Sequence, residues 1–140
     1  MEEAFNKGAL AAIVSEAGSK KISGTLARTR PVFVVDDPVE ALGDLARAHR
    51  LRYRHVPLVA ITGSSGKTTT KELISAVLRQ RFATVWSEAS FNNDIGVPQT
   101  LLRMDRTHQA AVLEVGTNHP GELAPLVQMI QPRHGVITCI

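Results

Sequence analysis

The stretch Leu58-Val59-Ala60-Ile61-Thr62-Gly63-Ser64-Ser65-Gly66-Lys67-Thr68-Thr69-Thr70-Lys71 decides the fold. It runs from a short continuous apolar segment, through a turn bracketed by two glycines, into residues with helical spacing. A buried strand, a glycine turn and a helix in that order point several backbone N–H groups at one spot, where the helix N-terminus adds partial positive charge. That spot suits a phosphate group. Thr62, Gly63, Ser64, Ser65, Gly66, Lys67, Thr68 and Thr69 form the candidate loop, with Lys67 as the charge that reaches terminal phosphates and the Thr68 hydroxyl as a ligand for Mg2+. The match is to the short form T-G-x-x-G-K-T, because Ile61 stands where the longer phosphate-loop pattern has its first glycine. An ATP-type nucleotide is the implied cofactor.

Downstream, strands and helices alternate. A helix is expected over 67–80 with Leu73, Ile74, Val77 and Leu78 on its packed face, then a strand over 83–86 and a loop through Phe91-Asn92-Asn93-Asp94-Ile95-Gly96-Val97-Pro98. A short helix ends near Met104, a strand occupies 111–115, a helix 122–130, and a last strand begins at Val136. Continuous apolar strands separated by helices imply an α/β fold, a parallel sheet with flanking helices. Ligands collect at the carboxyl ends of such strands, so Glu114 is the carboxylate expected to meet Thr68 and share a metal ion. Asn92 and Asn93 should emerge on the same sheet edge as candidate substrate contacts, although Asn-Asn-Asp before glycine is equally good turn chemistry.

Upstream, Phe5, Ala9, Ala12 and Ile13 recur at helical spacing, which predicts a helix that stops near Gly18. Residues 32–35 read as a short buried strand. Asp37, Pro38 and Glu40 then supply a cap, a first helical residue and a capping-box acid, opening a helix whose face is Leu42, Leu45, Ala46 and His49. That helix runs into Arg47, His49, Arg50, Arg52, Arg54 and His55, read as a solvated helix end leading to a linker before Pro57. A domain boundary is therefore expected between 54 and 55, with the remnant of a small α/β domain over 1–54 and a phosphate-binding domain over 55–140.

Composition excludes more than it selects. With 44% hydrophobic and 21% charged residues in a 140-residue chain of net charge +3, the sequence is that of an ordinary folded domain with no demand for nucleic acid as partner. No apolar run approaches a membrane span and no secretory signal opens the chain, so no membrane partner and a cytoplasmic location are expected. The single cysteine, Cys139, reads as a small core residue. His108, His119 and His134 read as loop residues, not a zinc cluster.

Together the segments Asp36-Asp37-Pro38, Ala41-Leu42-Gly43-Asp44-Leu45-Ala46, the loop from Thr62 to Lys71, the run Phe91 to Pro98, and Glu114-Val115-Gly116-Thr117-Asn118-His119-Pro120-Gly121-Glu122 resemble the Mur ligases. Within that family they are most similar to the branch that adds D-alanyl-D-alanine. The phosphate loop is common to Mur ligases and folylpolyglutamate synthases; the Asn-Asn loop and the run from Glu114 to Glu122 narrow the resemblance. It implies a monomer with two substrates, UDP-N-acetylmuramoyl-tripeptide and D-alanyl-D-alanine, joined through an acyl phosphate with ATP and Mg2+ as cofactors. By the same resemblance Asn92 and Asn93 would sit near the nucleotide-sugar peptide. The family has three domains, so the resemblance also implies a fragment: an incomplete first domain, a central domain that stops at Ile140 and no C-terminal domain. The carbamylated lysine and the second-site histidine of the family lie outside the chain, which implies that the fragment alone is inactive. A phosphate-loop ATPase or kinase of another class, and a non-catalytic nucleotide-binding fragment, are the alternatives. The apolar edge strand near 136–140 predicts self-association.

Overall fold

A computed structural model describes residues 2–22, 30–89, 91–116 and 121–140. The chain divides into two compact units, Met1–Ala41 and Leu42–Ile140. In the first unit, helix α1 (Glu2–Asn6) is followed by strand β1 (Ala12–Ser15), helix α2 (Glu16–Ser19) and strand β2 (Val32–Val35), with β1 and β2 parallel and Ala12 opposite Val32. The single long helix expected from Phe5, Ala9, Ala12 and Ile13 does not form. Gly8 adopts a left-handed φ of 97° just after α1, and Ile13-Val14 favours the extended backbone that β2 offers as a pairing partner. The β2 strand is correctly placed but not buried, since Phe33 and Val34 are exposed.

Helix α3 (Pro38–Arg52) opens with the Asp37 cap and the first-position proline that the sequence predicts. The Asp37 carboxylate accepts the Val39 N–H at 2.7 Å and the Glu40 N–H at 3.4 Å. Its inward face differs from expectation: Leu45 is 49% exposed, whereas Ala46 and Arg50 are buried four residues apart. The basic run is therefore not uniformly solvated. Arg50 donates through Nε to Ile130 O at 2.8 Å, through one terminal nitrogen to Tyr53 O at 2.6 Å, and through the other to Gln131 O at 3.4 Å. A guanidinium has five N–H donors and suits the last carbonyls of a helix, which have no partner within the helix itself. Burial lowers the Arg50 pKa from its ordinary value. Because Ala46 and Arg50 pack with later parts of the chain, the packing boundary falls at 41/42, ahead of the charge-rich residues on which the 54/55 division rests.

The second unit is a four-stranded parallel sheet in the order β4-β5-β3-β6, built from β3 (Leu58–Thr62), β4 (Thr84–Trp86), β5 (Ala110–Glu114) and β6 (His134–Ile137). Ile61 of β3 pairs with Glu114 of β5 and with Val136 of β6. Helices α4 (Lys67–Leu78), α5 (Gly96–Leu102) and α6 (Leu123–Ile130) connect the strands. Leu58, Ala60, Ala111, Leu113 and Val115 join Ala46, Val97, Leu101, Leu126 and Ile130 in one core cluster, so α3, α5 and α6 cover one face. Side chains alternate along a strand, so Ala110, Val112 and Glu114 turn to the opposite face, where α4 lies. Covering both faces explains why β5 is buried at all five residues.

On α4 the expected packed face is also corrected. Leu73 and Val77 are 64% and 72% exposed, and the buried residues are Lys71 and Ser75. His134 lies in β6, not in a loop, and Cys139 is exposed, not in the core. His119, with Thr117, Asn118 and Pro120 of the family-like run, lies outside the described residues. Among the described residues no helix is long and apolar enough to cross a membrane.

Replacing Arg50 by methionine keeps the buried length but strips the donors from three carbonyls. It should lower the unfolding free energy by about 2 kcal/mol. Urea unfolding of the two proteins checks this; equal midpoints would contradict the capping role.

Candidate functional site

The turn between β3 and α4 is held in shape by the chain that leaves β6. The Ser64 N–H donates to Cys139 O at 2.9 Å, the Thr138 N–H donates to Thr62 O at 3.0 Å, and the Thr138 hydroxyl lies 2.5 Å from Ser65 O. Gly63 adopts φ 135°, and a Cβ there would stand 2.8 Å from Cys139 O and 2.9 Å from its N, besides running into the Thr138 hydroxyl. Only glycine fits both the backbone and the space. Gly66, at φ 81°, ends the turn and opens α4 without a side-chain cap. The buttress from Thr138 and Cys139 was invisible in the sequence, because nothing local tells that β6 becomes the neighbour of β3.

At the mouth of this turn the polar groups are arranged for an anion. Among the described residues, no group accepts a hydrogen bond from the N–H of Ser65, Gly66, Lys67, Thr68 or Thr69. The last four of these are the free donors that every helix N-terminus presents, and Ser65 in the turn adds a fifth. The Lys67 ammonium reaches back over the loop to donate to Gly63 O at 2.6 Å, leaving two further N–H groups on the same nitrogen. A cavity of about 280 Å3 is lined by residues 64–69 together with Asn92 and Glu114. The structure thus brings six of the eight predicted loop residues, Ser64 to Thr69, and two of the three predicted downstream residues to one place, while Thr62 and Gly63 shape the turn without lining the cavity.

Glu114 is 1% exposed, yet both carboxylate oxygens are engaged. Oε2 accepts from the Thr68 hydroxyl at 2.8 Å and Oε1 from Asn92 Nδ2 at 2.8 Å. The Glu114 N–H donates to Ser87 Oγ at 3.1 Å, and the Gly116 N–H to Asn92 O at 2.7 Å. Each ionised oxygen has a second lone pair, so Glu114 can accept these hydrogen bonds and still offer hard oxygen to a cation. With the Thr68 hydroxyl alongside, this donor set fits a small divalent ion of the Mg2+ type. The anion cradle and the oxygen pair are adjacent along α4, since Lys67 and Thr68 are consecutive.

Asn93 does something else. Its Oδ1 accepts from the Gly96 N–H at 2.8 Å and the Ile95 N–H at 3.3 Å, and its carbonyl accepts from Val97 N. The side-chain oxygen therefore starts α5, the turn chemistry that the sequence offered as the other reading. Sequence reasoning missed Ser87, whose hydroxyl sets the Glu114 backbone. It also missed the special position of Lys71, 0% exposed on α4. An isolated lysine in an amphipathic helix carries no signal that it points inward.

Placing alanine at Gly63 should cost about 2 kcal/mol of stability, because it imposes both a left-handed φ on a residue with a Cβ and a collision with backbone. Thermal unfolding of Gly63→Ala beside the parent chain checks this. An unchanged midpoint would show that the turn is not shaped as described.

Comparison with known proteins agrees with this geometry. Residues 61–140 match the family model described as the Mur ligase middle domain. A UDP-N-acetylmuramoyl-tripeptide--D-alanyl-D-alanine ligase of Haemophilus influenzae is 39% identical over all of this chain and 30% of that protein. The ligase of the same name from Escherichia coli is 42% identical over 86% of this chain and 26% of that protein. Among solved structures, MurF from Acinetobacter baumannii superposes with a TM-score of 0.83 at 35% identity, over 97% of this chain and 28% of that one. MurF from Thermotoga maritima in complex with ADP gives 0.80 at 29% identity, over 99% and 30%. The chain spans about 30% of the length of the first of these relatives. With the glycine turn, the parallel sheet and the Glu114 carboxylate arranged as above, the chain belongs to the Mur ligase family, whose middle domain residues 61–140 match.

Proposed function

We propose that this chain is part of an ATP-dependent amide ligase that joins D-alanyl-D-alanine to UDP-N-acetylmuramoyl-tripeptide. The observation that carries the reading is the convergence of the unpartnered N–H groups of residues 65–69, the Lys67 ammonium and the Thr68–Glu114 pair on one cavity. Relatives named for that reaction align along the chain at 33–42% identity, and one structural neighbour is a complex with ADP. Residues 1–54 would correspond to part of an N-terminal UDP-sugar-binding domain, and 55–140 to the first part of the ATP-binding central domain. The protein would act as a monomer in the cytoplasm, where ATP and nucleotide-linked precursors are found.

In this reaction a carboxylate oxygen of the tripeptide attacks the γ-phosphorus of ATP and ADP leaves. The amine of D-alanyl-D-alanine then attacks the acyl carbon, loses a proton and expels phosphate. No protein nucleophile is required. The work of this chain is to hold the phosphates still and to balance the charge that builds as the phosphoryl group moves. The backbone N–H groups of residues 65–69 would bind non-bridging oxygens, and Lys67 would exchange its bond to Gly63 O for the terminal phosphates. Thr68 and Glu114 would hold Mg2+, which when bound neutralises the phosphates and polarises the transferring group. Asn92, held on Glu114, would face the peptide substrate. Asn93 would act there through the shape of its turn, since its oxygen is committed to α5.

Calorimetry with ADP and Mg2+ tests the reading directly. Lys67→Ala should weaken nucleotide binding at least tenfold with or without metal. Glu114→Gln should abolish most of the gain that Mg2+ gives while leaving metal-free ADP binding within about twofold. In the whole enzyme, ATP turnover should require both the tripeptide and D-alanyl-D-alanine. Turnover independent of the tripeptide would favour a phosphate-loop ATPase of another class.

A further inference from the structure

Lys71 has no part in the scheme above, yet its side chain is fully buried, which lysine tolerates only when its charge is matched. Its ammonium donates to Ser87 O at 2.8 Å and to Ala89 O at 3.0 Å, and pairs with Glu72 Oε1 at 2.7 Å. All three N–H groups are thus used, two of them on the backbone that leaves β4. Ala89 adopts φ 45°, a left-handed conformation that a residue with a Cβ adopts only when its surroundings hold it there. The bond from Lys71 to the Ala89 carbonyl is such a hold.

The same short segment carries supports for Glu114. Ser87 Oγ accepts the Glu114 N–H, and beyond the turn Asn92 Nδ2 donates to Glu114 Oε1. The remaining support, the Thr68 hydroxyl on Oε2, sits one helical turn before Lys71 on α4. Lys71 therefore ties together, through one buried ammonium, the helix that supplies Thr68 and the turn that supplies Ser87 and leads to Asn92. We propose that Lys71 is a positioning residue for the Thr68–Glu114 pair: by fastening the Ser87–Ala89 carbonyls to α4 it sets the place and orientation of the Glu114 carboxylate. This rests on the reading of Thr68 and Glu114 as metal ligands. It assigns Lys71 no contact with nucleotide, metal or substrate.

A lysine that merely stabilised the fold would act on every strand alike, whereas a positioning lysine acts locally. Amide hydrogen exchange, followed by NMR on the 140-residue chain, separates the two, because local opening exposes only the amides it releases. In Lys71→Met, the amides of Ser87, Glu114 and Gly116 should exchange at least tenfold faster while those of Ala60 and Leu113 keep their protection. The gain in ADP affinity from Mg2+ should fall at least tenfold, with metal-free ADP affinity unchanged. Lys71→Arg, which keeps the charge and donors, should recover part of both. Ser87→Ala leaves Lys71 intact and cuts only the link to the Glu114 N–H. It should reproduce the loss of the Mg2+ gain even if Lys71→Met does not fold. Uniform acceleration of all strand amides, unchanged exchange at Glu114, or a full Mg2+ gain in Ser87→Ala would each overturn the proposal. Glu114→Gln judges the metal reading separately: a full Mg2+ gain in that variant would sink the metal assignment, while the exchange pattern would still report whether Lys71 holds Glu114.

Discussion

A carboxylate that is almost wholly buried at the end of one of the two inner strands, β5, is the constraint on which the site depends. Glu114 reaches its position because β5 lies between β4 and β3, and it is tolerated there because Thr68 and Asn92 each donate to one of its oxygens. An uncompensated buried carboxylate would cost several kcal/mol. The helix after the phosphate loop and the loop after β4 must therefore both close on this one side chain. The register of β3 against β5 sets the distance, since Ile61 pairs with Glu114 and Thr62 begins the turn. A slip of one residue would turn Glu114 into the apolar face and Val115 out of it.

Polar side chains do much of the fastening elsewhere in this unit. Arg50 closes the carbonyl end of α6, and Lys71 joins α4 to the turn after β4. Both are long cations that bury an aliphatic stem and spend their N–H groups on backbone carbonyls. Such groups make the arrangement specific, because the carbonyls they satisfy cannot be left dry and unpaired. The glycine turn follows the same logic in reverse: its carbonyls are tied down by Thr138 and Lys67, and the N–H groups of residues 65–69 are left free.

Much of this was legible in the sequence where the information is local or depends on strand order. The strand, glycine turn and helix from Leu58 onward form where the sequence put them, and Glu114, expected at the carboxyl end of its strand, meets Thr68 there. The misreadings have a common origin in contacts between distant segments. Leu73 and Val77 looked like the packed face of α4 because hydrophobic spacing cannot reveal that Lys71 and Ser75 point inward, with Lys71 bonded to carbonyls sixteen and eighteen residues away. Ala12 and Ile13 fitted a helix until β2 offered a parallel partner. Arg50 counted as one more solvated cation until the end of α6, some eighty residues on, was placed beside it. Asn93 was ambiguous by nature, since the same side chain can contact a ligand or begin a helix.

If nucleotide phosphates and a divalent ion meet between the start of α4 and the end of β5, a paramagnetic ion bound there must mark those residues and spare the rest. Substituting Mn2+ for Mg2+ in the ADP complex and following the broadening of backbone amides is the most direct measurement. Broadening should be strongest at Thr68, Glu114 and their immediate neighbours, fall off towards the far ends of β3 and β5, and be lost when ADP is withheld. Broadening centred on another part of the chain, or none at metal and nucleotide concentrations that saturate binding, would contradict a shared phosphate and metal site at this sheet edge.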